Sequence, residues 1–177
     1  MSKQDFDVAV VGGGMVGAAL ARALALQAFS VVLLEAREPA LDWTADSYDL
    51  RVSAITRASQ HLLQNLGVWQ VMVEDRVTAY QQMHVWDRAG FGEIHFDAAD
   101  VAEPDLGHII ENRVIVRALW RSLEAAGVAV RTASQITGFD ATEDGVHLAL
   151  ADGATLRVGL LVGADGAKSQ VREMAGI

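Results

Sequence analysis

The stretch that most constrains the fold runs from Asp7 to Glu35. Val8 to Val11 is a short β-branched run of the kind that forms a buried parallel strand. Gly12, Gly14 and Gly17 follow at once in G-x-G-x-x-G spacing. Met15 to Gln27 then carries Val16, Ala19, Leu20, Ala23 and Leu24 at helical spacing and contains no proline. Val31 to Leu34 is a second buried run, and Glu35 ends it. Strand, glycine turn, helix, strand and terminal acid in this order make one βαβ unit.

Each glycine has a physical task if the unit holds a dinucleotide. Gly12 permits the tight turn out of the strand, Gly14 lets a pyrophosphate approach the backbone, and Gly17 lets the helix lie close on the sheet. The pyrophosphate would sit over the helix N-terminus, where unpaired N–H groups and the helix dipole favour an anion. Glu35 lies 18 positions after Gly17 and 23 after Gly12. That spacing suits an acid accepting hydrogen bonds from a ribose diol. A carboxylate there repels a 2′-phosphate, which favours the adenosine of FAD or NAD over that of NADP. A tight βα turn with no ligand is the bland reading of the same residues.

The remaining bulk properties narrow the class. The chain has 177 residues, enough for one domain with its own core, and is 51% apolar and 21% charged. Its net charge of −9 argues against a nucleic-acid partner, because that affinity rests on neutralising phosphates with Lys and Arg. There is no cysteine, hence no disulfide, thiolate nucleophile or cysteine metal site. The five histidines show no ligand spacing and read as ordinary side chains, so no metal site is expected. Asp5, Asp7, the glycines and Arg22 interrupt the apolar N-terminal stretch, which excludes a signal peptide or a spanning segment. A cytoplasmic protein is expected, with association at a membrane surface left open.

Beyond Glu35 the chain alternates short elements. Arg37 to Asp49 reads as a loop, with Trp43 and Tyr48 as packing anchors. Thr56 is placed to cap a helix whose apolar face is Ala58, Leu62, Leu63 and Leu66, ended by Gly67. Tyr80 to Asp87 and Glu93 to Asp97 alternate as the arms of an antiparallel hairpin. Ala98 to Asp105 is an acidic, solvated loop, and Leu106 to Ile110 is a short strand. Asn112 starts a helix to about Ala126, with Arg113, Arg117 and Arg121 in one stripe. The stripe either pairs with Glu124 and the acidic loop or faces a phosphate. Val128 to Arg131 is expected to join the parallel sheet. Gln135–Thr142, Val146–Ala151 and Thr155–Val158 form a β-meander over tight turns, one of them Asp152-Gly153, and Leu160 to Gly163 is a further strand.

That last strand leads into Ala164-Asp165-Gly166, with Ser169 placed to cap a final helix. Asp165 sits at a strand's carboxyl end, where ligands collect in open α/β sheets. The bland reading is a turn. The fold class expected overall is α/β: a Rossmann-like FAD/NAD(P)-binding domain with a central parallel sheet, an inserted β-hairpin and a β-meander.

Taken together, Val10-Val-Gly-Gly-Gly-Met-Val-Gly17, Leu50-Arg-Val-Ser-Ala-Ile55, Leu66-Gly-Val-Trp69, Met83-His-Val-Trp-Asp87, Gly107-His-Ile-Ile-Glu-Asn112 and Gly163-Ala-Asp-Gly-Ala167 resemble the flavoprotein aromatic hydroxylases of the para-hydroxybenzoate hydroxylase type, and more closely the ubiquinone-biosynthesis hydroxylases. The likeness covers essentially the whole chain as one FAD-binding domain, residues 1–177. It implies FAD, NAD(P)H as electron donor, and a monooxygenase acting on a polyprenyl phenol or quinol. By motif, Gly12, Gly14 and Gly17 would serve the pyrophosphate and Glu35 the adenosine ribose. Arg51 and Asn112 would lie along the phosphate–ribityl part, with Arg117 a weaker candidate. Asp165 and Gly166 belong to the motif shared between FAD and the nicotinamide donor. Family members continue into a substrate-binding sheet and a second Gly-Asp motif, so an N-terminal portion is expected here and no catalytic residue is named. The partners this implies are the small aromatic substrate, with peripheral membrane contact, a biosynthetic complex or a homo-oligomer left open. Two other readings share the first motif: an NAD-dependent oxidoreductase, and a non-catalytic fragment that binds a dinucleotide or assembles with partners.

Overall fold

The computed structural model describes residues 5–177. In chain order the strands and helices are β1 (Phe6–Val11), α1 (Met15–Leu26), β2 (Val31–Leu34), β3 (Val52–Thr56), α2 (Arg57–Asn65), α3 (Trp69–Asp75), β4 (Val77–Tyr80), β5 (Gln82–Trp86), β6 (Glu93–Asp97), β7 (Gly107–Glu111), α4 (Asn112–Leu123), β8 (Ala129–Arg131), β9 (Ile136–Thr142), β10 (Gly145–Leu150), β11 (Thr155–Gly163) and α5 (Gln170–Met174). The chain divides into two compact units, 1–43 with 119–177, and 44–118. No helix among the described residues is long and apolar enough to cross a membrane.

The first unit is built on a six-stranded sheet in the order β8-β2-β1-β11-β10-β9. β1 pairs parallel with both β2 and β11, and β2 pairs parallel with β8. This is the parallel βαβ core that the Val8–Glu35 pattern requires, since residues buried on both faces of a parallel sheet read as unbroken apolar runs. All four residues of β2 are buried, as are Val8 to Val11 of β1. One core cluster joins Ala9, Val11, Val32 and Leu34 to Ile136, Leu148, Leu150, Leu156 and Val158.

Two local expectations change here. Gly159 reads as a break between two strands, yet β11 runs through it as one strand of nine residues. Its first half pairs antiparallel with β10, Ala149 opposite Thr155 and Val146 opposite Val158. Its second half pairs parallel with β1, from Leu160 opposite Val8 to Gly163 opposite Val11. Partners on both flanks hold the glycine extended, so β11 stitches the meander onto the parallel sheet. The buried stripe of α1 also differs from the expected one: Gly17, Ala18 and Ala21 are buried, whereas Val16 is 69% exposed. The smallest side chains face inward because the helix lies too close to the sheet for larger ones.

The second unit holds a three-stranded sheet β3-β7-β4 and a two-stranded hairpin β5-β6, all antiparallel. The hairpin is the one expected, with Met83 opposite Phe96 and Val85 opposite Ile94, but its first arm starts at Gln82. Val77 to Tyr80 forms the separate strand β4, because its partner is β7. Strand β3 and helix α3 were not legible as elements. Thr56 caps α2 as expected, its side chain accepting from the Ser59 N–H. Leu63 and Leu66 are buried while Leu62 is about half exposed, so the apolar face of α2 is narrower than the pattern suggests. The acidic loop is not wholly solvated: Asp105 is buried and pairs with Arg57, which also meets Glu103.

Candidate functional site

The first unit gathers the residues of the glycine motif at the carboxyl end of β1. Gly12 has φ +104°, and a Cβ built there would stand 2.5 Å from the Ala164 carbonyl oxygen. Only glycine makes this turn while lying against the segment after β11. Gly17 fits more tightly still: a Cβ there would lie 1.9 Å from the Gly12 carbonyl oxygen. Gly14 is the opposite case. Its φ is −65°, and a Cβ there meets nothing within 4 Å. Gly14 is also the N-cap of α1, with no side chain capping the helix and no acid in its first turn. The first amides of a twelve-residue helix are thus left without a capping partner beside open space, the condition for binding an anion at a helix N-terminus.

Glu35 follows β2 directly. Its Oε2 accepts from the Gly13 N–H at 2.5 Å and its Oε1 from the Arg37 N–H at 3.0 Å. An ionised carboxylate has about four acceptor positions, so two remain for a diol. A cleft of about 580 Å³ opens here, lined among others by Gly12, Glu35, Arg37, Ser134, Gln135 and Lys168. The Arg37 guanidinium and the Lys168 ammonium make no ion pair or hydrogen bond with a side chain or backbone group among the described residues. A cavity of this size with a few convergent polar groups suits a nucleoside. The donor set and the open approach at Gly14 fit an adenosine diphosphate.

Asp165 also lines this cleft, but its carboxylate is turned onto α5. It accepts from the Ser169 hydroxyl, and from the Gln170 and Val171 N–H groups at 2.7 and 3.2 Å. Ser169 caps the same helix, accepting from the Arg172 N–H at 3.0 Å. The bland reading of Asp165 as a local capping residue therefore accounts for both its oxygens. Gly166, at φ +84°, makes the turn and borders a neighbouring, more apolar cleft with Leu160, Leu161 and Val171.

Arg51 and Asn112 lie in the second unit, side by side. The Asn112 N–H donates to the Arg51 carbonyl at 2.9 Å, and the Asn112 side-chain oxygen accepts from the Ser53 hydroxyl at 2.6 Å. The Arg51 guanidinium is exposed and has no partner among the described residues. The arginine stripe of α4 is spent on protein carboxylates. Arg113 pairs with Glu111, Arg117 with Asp75 and Arg121 with Asp42. These three ion pairs involve neither Glu124 nor the acidic loop, and the Arg117 pair favours the protein-carboxylate reading over the phosphate one.

Two residues of the site had no usable signal. Gly13 is the middle glycine of a run of three, and Trp120 lies 107 positions further on, in a helix read for its arginines. The Trp120 Nε1–H donates to the Gly13 carbonyl at 2.7 Å.

Two carboxyls held below their ordinary values are expected to make the fold acid-sensitive. Burial pushes the Glu111 carboxyl up, but the Asp49 N–H and the Arg113 and Arg76 guanidiniums outweigh it and hold it below its ordinary value. Burial also pushes Asp165 up, and the Ser169 hydroxyl with the Val171 and Gln170 amides outweighs it. With folded values below unfolded ones, the stabilisation is complete above the ordinary carboxylate range and is lost as pH falls through the depressed folded values. The urea midpoint is expected to be level near pH 6 and to fall below about pH 4. Glu111→Gln should start from a lower midpoint and fall less steeply. A wild-type midpoint unchanged between pH 6 and pH 3 would contradict the assignment.

Comparison with known proteins agrees with this geometry. The family model described as "FAD binding domain" matches residues 5–177. The chain is 43% identical over its full length to the 3-demethoxyubiquinol 3-hydroxylase of Escherichia coli K12, covering 45% of that protein. It is 39% identical over 97% of its length to the mouse ubiquinone biosynthesis monooxygenase COQ6, covering 39% of it. Among solved structures, aklavinone-11 hydroxylase in a ternary complex with FAD and aklavinone superposes with a TM-score of 0.75 at 27% identity, over the whole of this chain and 36% of that one. The chain spans under half the length of these relatives. The match across residues 5–177 places this chain in the FAD binding domain family, in keeping with the glycine turn, the uncapped helix and the acid at the end of β2.

Proposed function

We propose that residues 1–177 are the FAD-binding portion of an NAD(P)H-dependent monooxygenase that hydroxylates a polyprenyl phenol or quinol in ubiquinone biosynthesis. The observation that carries the FAD reading is the uncapped N-terminus of α1 at Gly14, open to ligand, beside the Glu35 carboxylate. The substrate class rests on the 43% identity to the bacterial 3-demethoxyubiquinol 3-hydroxylase over the entire chain.

In this reading the amides from Gly14 into α1 bind the pyrophosphate, and Glu35 accepts from the adenosine ribose. Within the second unit, Arg51 has a guanidinium with no partner among the described residues, available to a phosphate, and Asn112 beside it has an amide available to a hydroxyl. Asp165 acts by capping α5 and so fixing the Gly166 turn against the cofactor. Bound FAD, reduced by the nicotinamide donor, supplies the oxygen chemistry, one atom of O2 going to the ring and the other to water. The chain's own task is to bind, orient and exclude water. A polyprenyl substrate places that task at a membrane surface, which the protein would meet peripherally.

A chimera tests this reading. The corresponding segment of the Escherichia coli hydroxylase is replaced by residues 1–177, and ubiquinone is measured in cells lacking the native enzyme. Restored ubiquinone is expected. A chimera that folds and holds FAD but yields no hydroxylated product would overturn the substrate assignment.

A further inference from the structure

The middle residue of the glycine loop is held on both sides. The Gly13 N–H donates to Glu35 Oε2 at 2.5 Å, and the Gly13 carbonyl accepts from the Trp120 Nε1–H at 2.7 Å. Gly13 is buried, and a Cβ built there would lie 2.4 Å from Trp120 Cζ2 and 3.1 Å from Glu35 Oε2. The indole therefore lies against the backbone itself, which explains why the second of three consecutive glycines is a glycine although its φ is not in the left-handed region.

We propose that Trp120 is a positioning residue for the nucleotide: its indole N–H fixes the peptide plane between Gly13 and Gly14 and so aims the Gly14 N–H at the pyrophosphate. In a trans peptide the carbonyl and the following N–H point in opposite directions. Pinning the Gly13 carbonyl to the indole turns the Gly14 N–H to the far side of the plane, and that N–H has no partner among the described residues. The preceding peptide is held separately, its Gly13 N–H on Glu35, so Gly13 is fixed on both sides. A loop without side chains has high conformational freedom, and ordering it in advance lowers the cost of binding. This inference rests on the nucleotide reading of the site.

The test combines binding and exchange. Trp120→Phe removes the donor while keeping an aromatic ring, and should weaken FAD binding about tenfold with little change in melting temperature. Gly13→Ala should weaken FAD binding at least as much by striking the indole. In a Trp120→Ala background the same alanine should cost little further, since its main obstacle is gone. Equal FAD affinity of Trp120→Phe and wild type overturns the proposal, as does a Gly13→Ala defect of equal size in both backgrounds. Exchange of the Trp120 indole N–H in the ligand-free protein tests the clamp independently of any nucleotide. It should be much slower than that of Trp86, which is 65% exposed. Equal exchange of the two overturns the clamp, whereas failure of the wild-type chain to bind FAD overturns the nucleotide reading.

Discussion

Gly17→Ala is expected to destabilise the protein by about 3 kcal/mol or more, and to remove nucleotide binding with it. The added Cβ would stand 1.9 Å from the Gly12 carbonyl oxygen and 3.1 Å from the Ala164 Cβ. Both neighbours are fixed. Gly12 turns at φ +104° with its own N–H on the Leu34 carbonyl, and Ala164 N–H is bonded to the Val11 carbonyl. The helix must therefore back away from the loop by about 1 Å, opening the contact of Ala18 and Ala21, both fully buried. Close-packed interiors do not absorb such a shift without losing contacts along the element. A urea titration followed by circular dichroism reads the effect. A midpoint within experimental error of wild type would show that α1 does not lie on the loop as described.

Gly14→Asp is expected to do the reverse to stability while abolishing FAD binding. The position is open, its backbone is extended, and a Cβ meets nothing within 4 Å. Aspartate is among the best N-cap residues, and its charge suits the helix dipole, so the variant should be as stable as wild type or up to about 1 kcal/mol more so. The same carboxylate accepts from the amides that the pyrophosphate would use, and repels it. A loss of FAD affinity of at least about 100-fold is expected, equivalent to several missing charge-assisted hydrogen bonds. The two glycines stand three residues apart in one motif, and the structure assigns them opposite tasks. Wild-type FAD affinity in Gly14→Asp would falsify the pyrophosphate site.

How far this could be read from sequence follows the range of the interactions involved. The β1–α1–β2 unit was legible because its signals are local: a β-branched run, glycines at fixed spacing and an acid at a strand end. The Thr56 and Ser169 caps were legible for the same reason, each contact reaching three residues along the chain. Strand β11 was misread at Gly159 because its continuity is imposed by β10 on one side and β1 on the other. Strand β3, with no run of its own, exists through its pairing with β7. The arginine stripe of α4 was visible, yet its partners Glu111, Asp75 and Asp42 are set by tertiary structure. Trp120 illustrates the limit. Nothing near it in sequence distinguishes a core tryptophan from one whose indole N–H reaches a glycine carbonyl 107 residues away.

The central claim is that the loop from Gly12 to Gly17 and Glu35 hold the adenosine diphosphate part of FAD. Calorimetric titration of the chain with FAD and, separately, with FMN tests it most directly, because FMN carries the same ring and ribityl phosphate without the adenosine half. FAD is expected to bind, and FMN to bind at least about tenfold more weakly. Equal affinity for the two, or no affinity for FAD, would contradict it.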